Sequence, residues 1–197
     1  MRIDIWTVSP FIAIGMAVVL FVQWRRGHSV GYLVCLALFG LYLAAVAEWT
    51  VFPIELGLDA SDLAALAQGR TIADAVQIVP FHDGLAPTRY ELVGNILLGI
   101  PFGFGLPFVS NRRGLEVLVD GLFFAVGIEL VQLLIDLAYG FGYRVVDVND
   151  VILVWFGAIA GYAAFRLLSA AYRWGIQATS VGMGVGAWSH VHEVLTR

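Results

Sequence analysis

Five long apolar runs, separated by short polar breaks and by one acidic stretch, follow one another along the 197-residue chain. A helix needs about 20 mostly apolar residues to cross a hydrocarbon core about 30 Å thick, because each residue rises about 1.5 Å. The runs cover residues 6–24, 30–52, 92–108, 115–137 and 146–172. We expect the third run to be short and broken, because Pro101 and Pro107 interrupt it. The pattern predicts an all-α polytopic membrane bundle of about five transmembrane helices.

The polar breaks divide the chain into four parts. Residues 1–53 hold two helices, residues 54–91 an acidic loop, residues 92–173 a core of three helices, and residues 174–197 a tail. In the loop, SDLAALAQG has a capping residue and a closing glycine, which predicts a short helix over residues 61–68. In the tail, the apolar run at 181–188 is too short to span. We therefore expect an interfacial or mobile tail, with His190 and His192 in solvent.

Composition agrees with a membrane protein and excludes other classes. The chain is 60% hydrophobic and 13% charged, against about 45–50% and 25% in average soluble domains. A net charge of −4 and the lack of a Lys/Arg block exclude nucleic acid as a partner. The single cysteine, Cys35, supports neither a disulfide framework nor a thiolate metal site, and no cofactor is expected. Without a clear cleavage site, the first run is expected to be a retained helix.

Arginines predict the orientation of the helices, because positive residues in short loops stay in the cytoplasm. They follow the first and third runs and lie at the end of the fifth: Arg25, Arg26, Arg112, Arg113, Arg166 and Arg173. In a chain of five spans, these positions share one side of the membrane. The carboxyl terminus is therefore expected in the cytoplasm, and the amino terminus and acidic loop outside.

A polar cluster is expected at the outer boundary, between runs too apolar for a soluble domain. Glu129 and Gln132 share a face of the fourth run, and Asp147 and Asp150 share a face of the fifth, because residues three apart align on a helix. Asn95 begins the third run at the same depth. Ionisable groups are costly in membranes and mark candidate functional sites.

Two glycine pairs predict which helices pack closely. GIPFG covers residues 99–103 and GAIAG covers residues 157–161, each with small residues four apart. Small residues at this spacing let membrane helices approach each other. We expect the third and fifth helices to pack together in the bundle interior, with their polar ends converging.

Four blocks of this sequence resemble the VanZ-like membrane protein family: VPF at 79–81, GNILLGIPFGFGLP at 94–107, ELVQ at 129–132 and RVVDVNDVILVWFGAIAGY at 144–162. The resemblance covers about residues 50–162. The matching positions are Asn95, Pro101, Phe102, Gly103, Glu129, Gln132, Arg144, Asp147, Asp150 and Gly157. Where the family usually has asparagine, this chain has Val154. The resemblance implies a bacterial cell-membrane protein and a link to resistance to the lipoglycopeptide teicoplanin.

Several roles for the cluster stay open. Glu129, Asp147 and Asp150 are the catalytic candidates, because neighbouring carboxylates can divide the acid and base roles. Asn95, Gln132 and Arg144 are the ligand-binding candidates, with Arg144 suited to a phosphate or carboxylate head group.

The expected partner is a membrane lipid, a lipoglycopeptide or a lipid-linked cell-wall precursor bound at the outer boundary. The alternatives are an intramembrane enzyme, a site for Mg²⁺ or Ca²⁺, and a structural cluster in which Arg144 pairs with Asp147 or Glu129. A transporter is disfavoured because the chain has no detectable internal repeat.

Overall fold

The computed structural model describes residues 2–57, 59–81, 88–179 and 188–197. Within these ranges five helices are long and apolar enough to cross a membrane. The helices are α1 Ile5–Arg25, α2 Val30–Thr50, α3 Ala60–Ala67, α4 Ile72–Ala75, α5 Arg89–Val109, α6 Leu115–Tyr139, α7 Val148–Thr179 and α8 Ser189–Thr196. The predicted all-α membrane bundle is confirmed.

Helix α5 is continuous, so the expectation that its prolines would shorten and break it was wrong. A capping box starts the helix: the Thr88 hydroxyl accepts from the Glu91 amide, and the Glu91 carboxylate accepts from the Thr88 amide. Pro101 and Pro107 both lie inside the helix. Membrane helices tolerate proline where neighbouring groups and small local adjustments satisfy the freed carbonyls.

Two short strand pairs tie the loops to the bundle. Strand β1 Arg2–Ile3 pairs antiparallel with β2 Ile54–Glu55. Strand β3 Val76–Gln77 pairs parallel with β4 Val146–Asp147, which directly precedes α7. The second pair brings the acidic loop onto the start of α7, beside the predicted polar cluster.

The packing of α5 on α7 is the closest and most extensive in the bundle. A Cβ added at Gly103 would lie 1.8 Å from the carbonyl oxygen of Ala158, and one at Gly157 would lie 2.1 Å from that of Ile96. Such distances leave no room for a side chain on either helix. The predicted glycine contact between the third and fifth spans is confirmed.

The carboxyl-terminal helix α8 packs against the opposite end of the bundle from the polar cluster. Its Val194 and Leu195 are buried and join a core cluster with Phe165 of α7. His190 Nε2 is 2.7 Å from the carbonyl oxygen of Phe108. This end is therefore closed by protein rather than by solvated chain.

The expectation that His190 and His192 lie in solvent was therefore wrong. His192 Nδ1 is 3.0 Å from the Tyr172 hydroxyl, and His190 contacts the end of α5. The strong amphipathic character of this short helix explains the difference, because its apolar face needs a partner. The run at 181–187 lies outside the described residues, so its predicted behaviour stays a prediction.

Candidate functional site

The chain folds back on itself after α6, and this return positions the site. Helix α6 ends at Gly140, which takes a left-handed conformation with φ of 80°. One oxygen of the Asp136 carboxylate then accepts hydrogen bonds from the amides of Tyr143 and Arg144, at 3.1 and 2.7 Å. Asp136 has no exposed surface. The turn therefore redirects the chain along α6, toward residues that precede the end of that helix.

Glu129 binds the chain where it returns along α6. Its Oε2 accepts a hydrogen bond of 3.0 Å from the amide of Asp147, and its exposed fraction is 7%. Glu129 lies ten residues before the last residue of α6, Tyr139. At a rise of about 1.5 Å per residue, α6 extends about 15 Å beyond this contact. The contact is therefore recessed from the end of the longest neighbouring helix.

Asp147 holds the start of α7. Its Oδ1 accepts from the amide of Asn149 at 2.8 Å, and its Oδ2 accepts from Asn149 Nδ2 at 3.2 Å. A carboxylate at a helix amino terminus satisfies unpaired amides and favours the helix dipole. Asp147 thus has a local structural role in addition to its position beside Glu129.

Asp150 contacts Asn95, the residue of α5 that was predicted to lie beside it. Asn95 Nδ2 donates to Asp150 Oδ1 across 2.5 Å, and both side chains are half-buried. The structure therefore brings together Asn95, Glu129, Asp147 and Asp150, which we call the carboxylate cluster. Sequence spacing predicted that these side chains would converge.

Gln132 lies at the edge of the cluster and contacts α2 instead. Its Nε2 donates to the carbonyl oxygen of Thr50 at 3.1 Å, which satisfies an otherwise free carbonyl in the last turn of α2. Its Oε1 is buried and has no hydrogen-bond partner within the described ranges. One side of this amide is thus structural and the other is available.

Arg144 binds main-chain carbonyls rather than carboxylates. Its Nη2 donates to the carbonyl oxygens of Val51 and Pro53, at 2.9 and 3.3 Å, and its guanidinium lies 5.2 Å from the ring centre of Tyr143. The alternative in which Arg144 pairs with Asp147 or Glu129 was therefore wrong. Arg144 fastens the end of α2 to the turn, and its predicted contact with a ligand stays a prediction.

Two buried residues of this region were not among the candidates predicted from the sequence. Asn149 is fully buried, and its Oδ1 accepts from the amide of Phe81 in the acidic loop at 2.9 Å. Asp136 is the other. An acid in the last turn of a helix opposes the helix dipole, and that conflict was the available signal for a specific role. Residues 82–87 of the acidic loop lie outside the described residues.

The carboxylates of this region have no basic partner in the part of the chain that the structure describes. Glu48, Glu129, Asp136, Asp147 and Asp150 form no ion pair there. Several buried polar atoms nearby also lack a hydrogen-bond partner: Glu48 Oε2, Gln77 Nε2, Gln132 Oε1, Asp136 Oδ2 and Arg144 Nε. Within the described residues, no three acidic, histidine or cysteine side chains are arranged to hold a metal ion. The region is rich in acceptors and suits a group that donates hydrogen bonds.

Comparison with protein families agrees with this arrangement. A family model described as VanZ/LLP1 matches residues 30–169. The chain belongs to the VanZ/LLP1 family. No curated protein and no solved structure matches the chain.

The VanZ/LLP1 match extends beyond the resemblance seen in residues 50–162. It includes α2 and most of α7, and with them every candidate site residue. Val154, at the position where the resemblance implies an asparagine, is buried with 2% of its surface exposed, one turn after Asp150. Its carbonyl oxygen faces Gly99 in the contact between α5 and α7. The substitution thus lies where the carboxylate cluster meets the closest helix packing.

Proposed function

We propose that this VanZ/LLP1 protein binds an amphipathic or lipid-linked molecule of the bacterial cell envelope through the carboxylate cluster, at the outer membrane boundary. The ligand is a lipoglycopeptide antibiotic or a lipid-linked cell-wall precursor. The observation that carries the proposal is the convergence of Glu129, Asp147 and Asp150 with no basic side chain in contact among the described residues. Closely spaced carboxyl groups without a basic partner are costly to ionise, and hydrogen-bond donors of a ligand would compensate that cost.

The charge of the cluster indicates what kind of head group binds. Carboxylates and the free Oε1 of Gln132 accept hydrogen bonds, so they suit sugar hydroxyls, amides and ammonium groups. Arg144 Nη2 is engaged with the end of α2, although its buried Nε has no described partner, so a phosphate would find at most this one cation beside the cluster. We therefore favour a glycan or glycopeptide head over a phosphate head at this end.

The depth of the cluster supports an amphipathic ligand. Glu129 is recessed along α6, so a polar head that reaches it has apolar helix surface beside it. Exposed side chains of α6 around this depth include Leu130, Val131 and Leu134. A lipid tail can lie along such a surface while the head occupies the acceptor-rich region.

The direct test removes charge but retains shape. Glu129→Gln and Asp150→Asn keep an oxygen that can accept from the Asp147 amide and from Asn95, so both variants are expected to fold. Binding of teicoplanin and of a glycopeptide without an acyl chain is measured with purified protein in lipid nanodiscs. We expect wild type to prefer teicoplanin, and each variant to lose about tenfold in affinity, since a charged hydrogen bond contributes about 1.5–3 kcal/mol.

The control is Asp62→Asn, which removes an exposed carboxylate in α3. Equal binding by wild type and both cluster variants, at unchanged thermal stability, would refute the proposed site. An intramembrane enzyme is the other candidate, since one cluster carboxylate could donate a proton while another accepts one. Turnover of a lipid-linked precursor by wild type that is lost in Glu129→Gln would favour the enzyme.

A further inference from the structure

A second polar site lies at the other end of the bundle, between α7, α8 and the loop that joins α5 to α6. A cavity of about 420 Å³ opens there. Four arginines line it together with two hydroxyl side chains and two apolar ones: Arg113, Arg166, Arg173 and Arg197, Ser169 and Thr196, Phe165 and Val194. We call this the arginine cavity. Among the described residues, no aspartate or glutamate lines it.

Main-chain carbonyls of α8 hold two of these arginines in place. Arg113 Nη2 donates to the carbonyl oxygen of Val194, and Arg173 Nη1 donates to that of Leu195, each across 3.2 Å. Arg113 also lies over the ring of Phe165, 5.1 Å from its centre. The last carbonyls of a helix are natural acceptors for arginine. These contacts fix two guanidinium groups at the cavity while leaving other donors of each group free.

The other two arginines are exposed, and one of them has a carboxylate partner. Arg197 pairs with Glu193 and donates to Asn111 Oδ1 at 2.7 Å. Arg166 has neither an ion pair nor a hydrogen bond within the described ranges. The positive charge around the cavity therefore exceeds the negative charge that the described residues supply to it.

Ser169 is the observation that indicates a ligand independently of the charges. It has 2% of its surface exposed, it lines the cavity, and its hydroxyl has no hydrogen-bond partner among the described residues. A serine inside a helix usually bonds back to the carbonyl four residues earlier. A buried hydroxyl without a partner costs free energy, so a bound acceptor would stabilise it.

Repulsion among the arginines favours the binding of an anion. Burial is the largest effect that lowers the pKa of Arg113; Arg197 and Arg166 lower it further, and Tyr162 acts in the opposite direction. Like charges thus face one another across the cavity. An anion between them would relieve both the repulsion and the cost of burial.

We propose that the arginine cavity binds a phosphate-bearing anion, with the guanidinium groups as charged donors and the Ser169 hydroxyl as a fifth donor. Arginine suits phosphate because its planar fork donates two parallel hydrogen bonds. The source is the head group of an anionic lipid or a soluble phosphate. Both carry the same recognised group, and this site does not depend on the function proposed for the carboxylate cluster.

The test uses the full chain purified in detergent and three probes. Native mass spectrometry compares retention of dioleoyl phosphatidic acid with that of dioleoyl phosphatidylcholine, and inorganic phosphate is added as a competitor at constant ionic strength. We expect at least tenfold preference for phosphatidic acid. Competition by inorganic phosphate identifies the phosphate group alone as sufficient, whereas failure to compete identifies the lipid as the source.

Two variants remove donors without removing a described contact: Ser169→Ala and Arg166→Gln. Each is expected to weaken retention of phosphatidic acid about tenfold. Arg26→Gln is the matched control, because it removes an exposed charge at the end of α1 without touching the cavity. Equal retention of both lipids together with no effect of phosphate would overturn the proposal. So would an equal loss in Arg26→Gln and Arg166→Gln, which would indicate a general basic surface.

Discussion

The two ends of the bundle carry acidic and basic side chains respectively, and at both ends these side chains bond to main-chain groups. At the carboxylate cluster and its turn, Glu129 and Asp136 accept from amides at 2.7–3.1 Å. At the arginine cavity, Arg113 and Arg173 donate to the carbonyls that end α8. In both places charges satisfy free main-chain groups where a helix begins or ends, or where the chain turns.

Because main-chain groups are the partners at both ends, ion pairs contribute little to either site. The described ion pairs join partly or largely exposed side chains, as in Arg112 with Glu116, and exposed pairs contribute about 0–1 kcal/mol. Since main-chain groups are dipoles, they stabilise a charge without neutralising it. Each end therefore keeps the character on which its proposed ligand depends: hydrogen-bond acceptors at the carboxylate cluster and positive charge at the arginine cavity.

The largest effect is expected when the contact between α5 and α7 is disrupted, because this contact supports both ends of the bundle. A Cβ at Gly99 would lie 1.9 Å from the carbonyl oxygen of Val154. Gly99→Ala should therefore force the helices apart and cost about 1–3 kcal/mol or more. Thermal unfolding in detergent measures the loss, and hydrogen exchange should increase at both ends of the bundle.

Gly94→Ala is the matched control in the same helix, because a Cβ there meets nothing within 4 Å. Alanine is a better helix former than glycine by about 0.5–1 kcal/mol, so this variant should be as stable as wild type or more stable. Equal unfolding temperatures for Gly99→Ala and Gly94→Ala would contradict the close contact.

The next prediction compares the stability lost with hydrogen bonds to main-chain amides and the stability lost with an ion pair. Asp136→Ala leaves the amides of Tyr143 and Arg144 without their acceptor, and should destabilise the protein by about 2 kcal/mol, since a buried unsatisfied group costs about 1–3 kcal/mol. Asp120→Ala, which removes a partly exposed ion pair with Arg112, should cost less than about 1 kcal/mol. Thermal unfolding of both variants under one condition ranks them. If Asp136→Ala were the more stable of the two variants, hydrogen bonds to main-chain amides would not be the larger contribution to stability.

A smaller effect concerns the one described cation beside the carboxylate cluster. Arg144→Gln should release the end of α2, because the hydrogen bonds to Val51 and Pro53 are lost, and should cost about 1–2 kcal/mol. Limited proteolysis near residues 51–57 measures the release. If Arg144 only fastens α2, binding of teicoplanin should fall far less than in Glu129→Gln. A larger fall than in Glu129→Gln would assign Arg144 to the ligand.

Periodic patterns predicted the parts of this fold that depend on helix geometry alone. Apolar length located the spans, and small residues four apart located the contact of α5 with α7 at Gly103 and Gly157. Convergence of Asn95, Glu129, Asp147 and Asp150 followed from topology, because successive spans alternate in direction. These features need no information about loops.

Contacts between loops and helix ends were not predictable in the same way. Asn149 accepts from Phe81 of the acidic loop, and Arg144 donates to the end of α2, each across more than 60 residues of sequence. No periodicity specifies such pairs, since the partners are main-chain groups that every residue has. The packing of α8 was missed because a short amphipathic segment beside a membrane has several possible partners.

The smallest expected effect lies in the loop that reaches the carboxylate cluster, at the capping box of α4. The Asp74 carboxylate accepts from the amide and hydroxyl of Thr71, and these hydrogen bonds hold the pKa of Asp74 below its ordinary value of 3.8. The stabilisation is therefore present above the unfolded pKa and is lost as pH falls through the lower folded value. Helix α4 supports the return turn, because a Cβ at Gly142 would lie 2.4 Å from that of Ala75.

Hydrogen exchange at residues 72–77, corrected for the intrinsic effect of pH, should thus increase between pH 5 and 3 in the wild type. Asp74→Asn should show faster exchange at pH 5 and little further change on acidification, because its amide does not titrate. Exchange at α8 should not change with this substitution, since the arginine cavity lies at the other end of the bundle. An equal increase at both ends would mean that acid loosens the whole bundle, and the two ends would then not be independent.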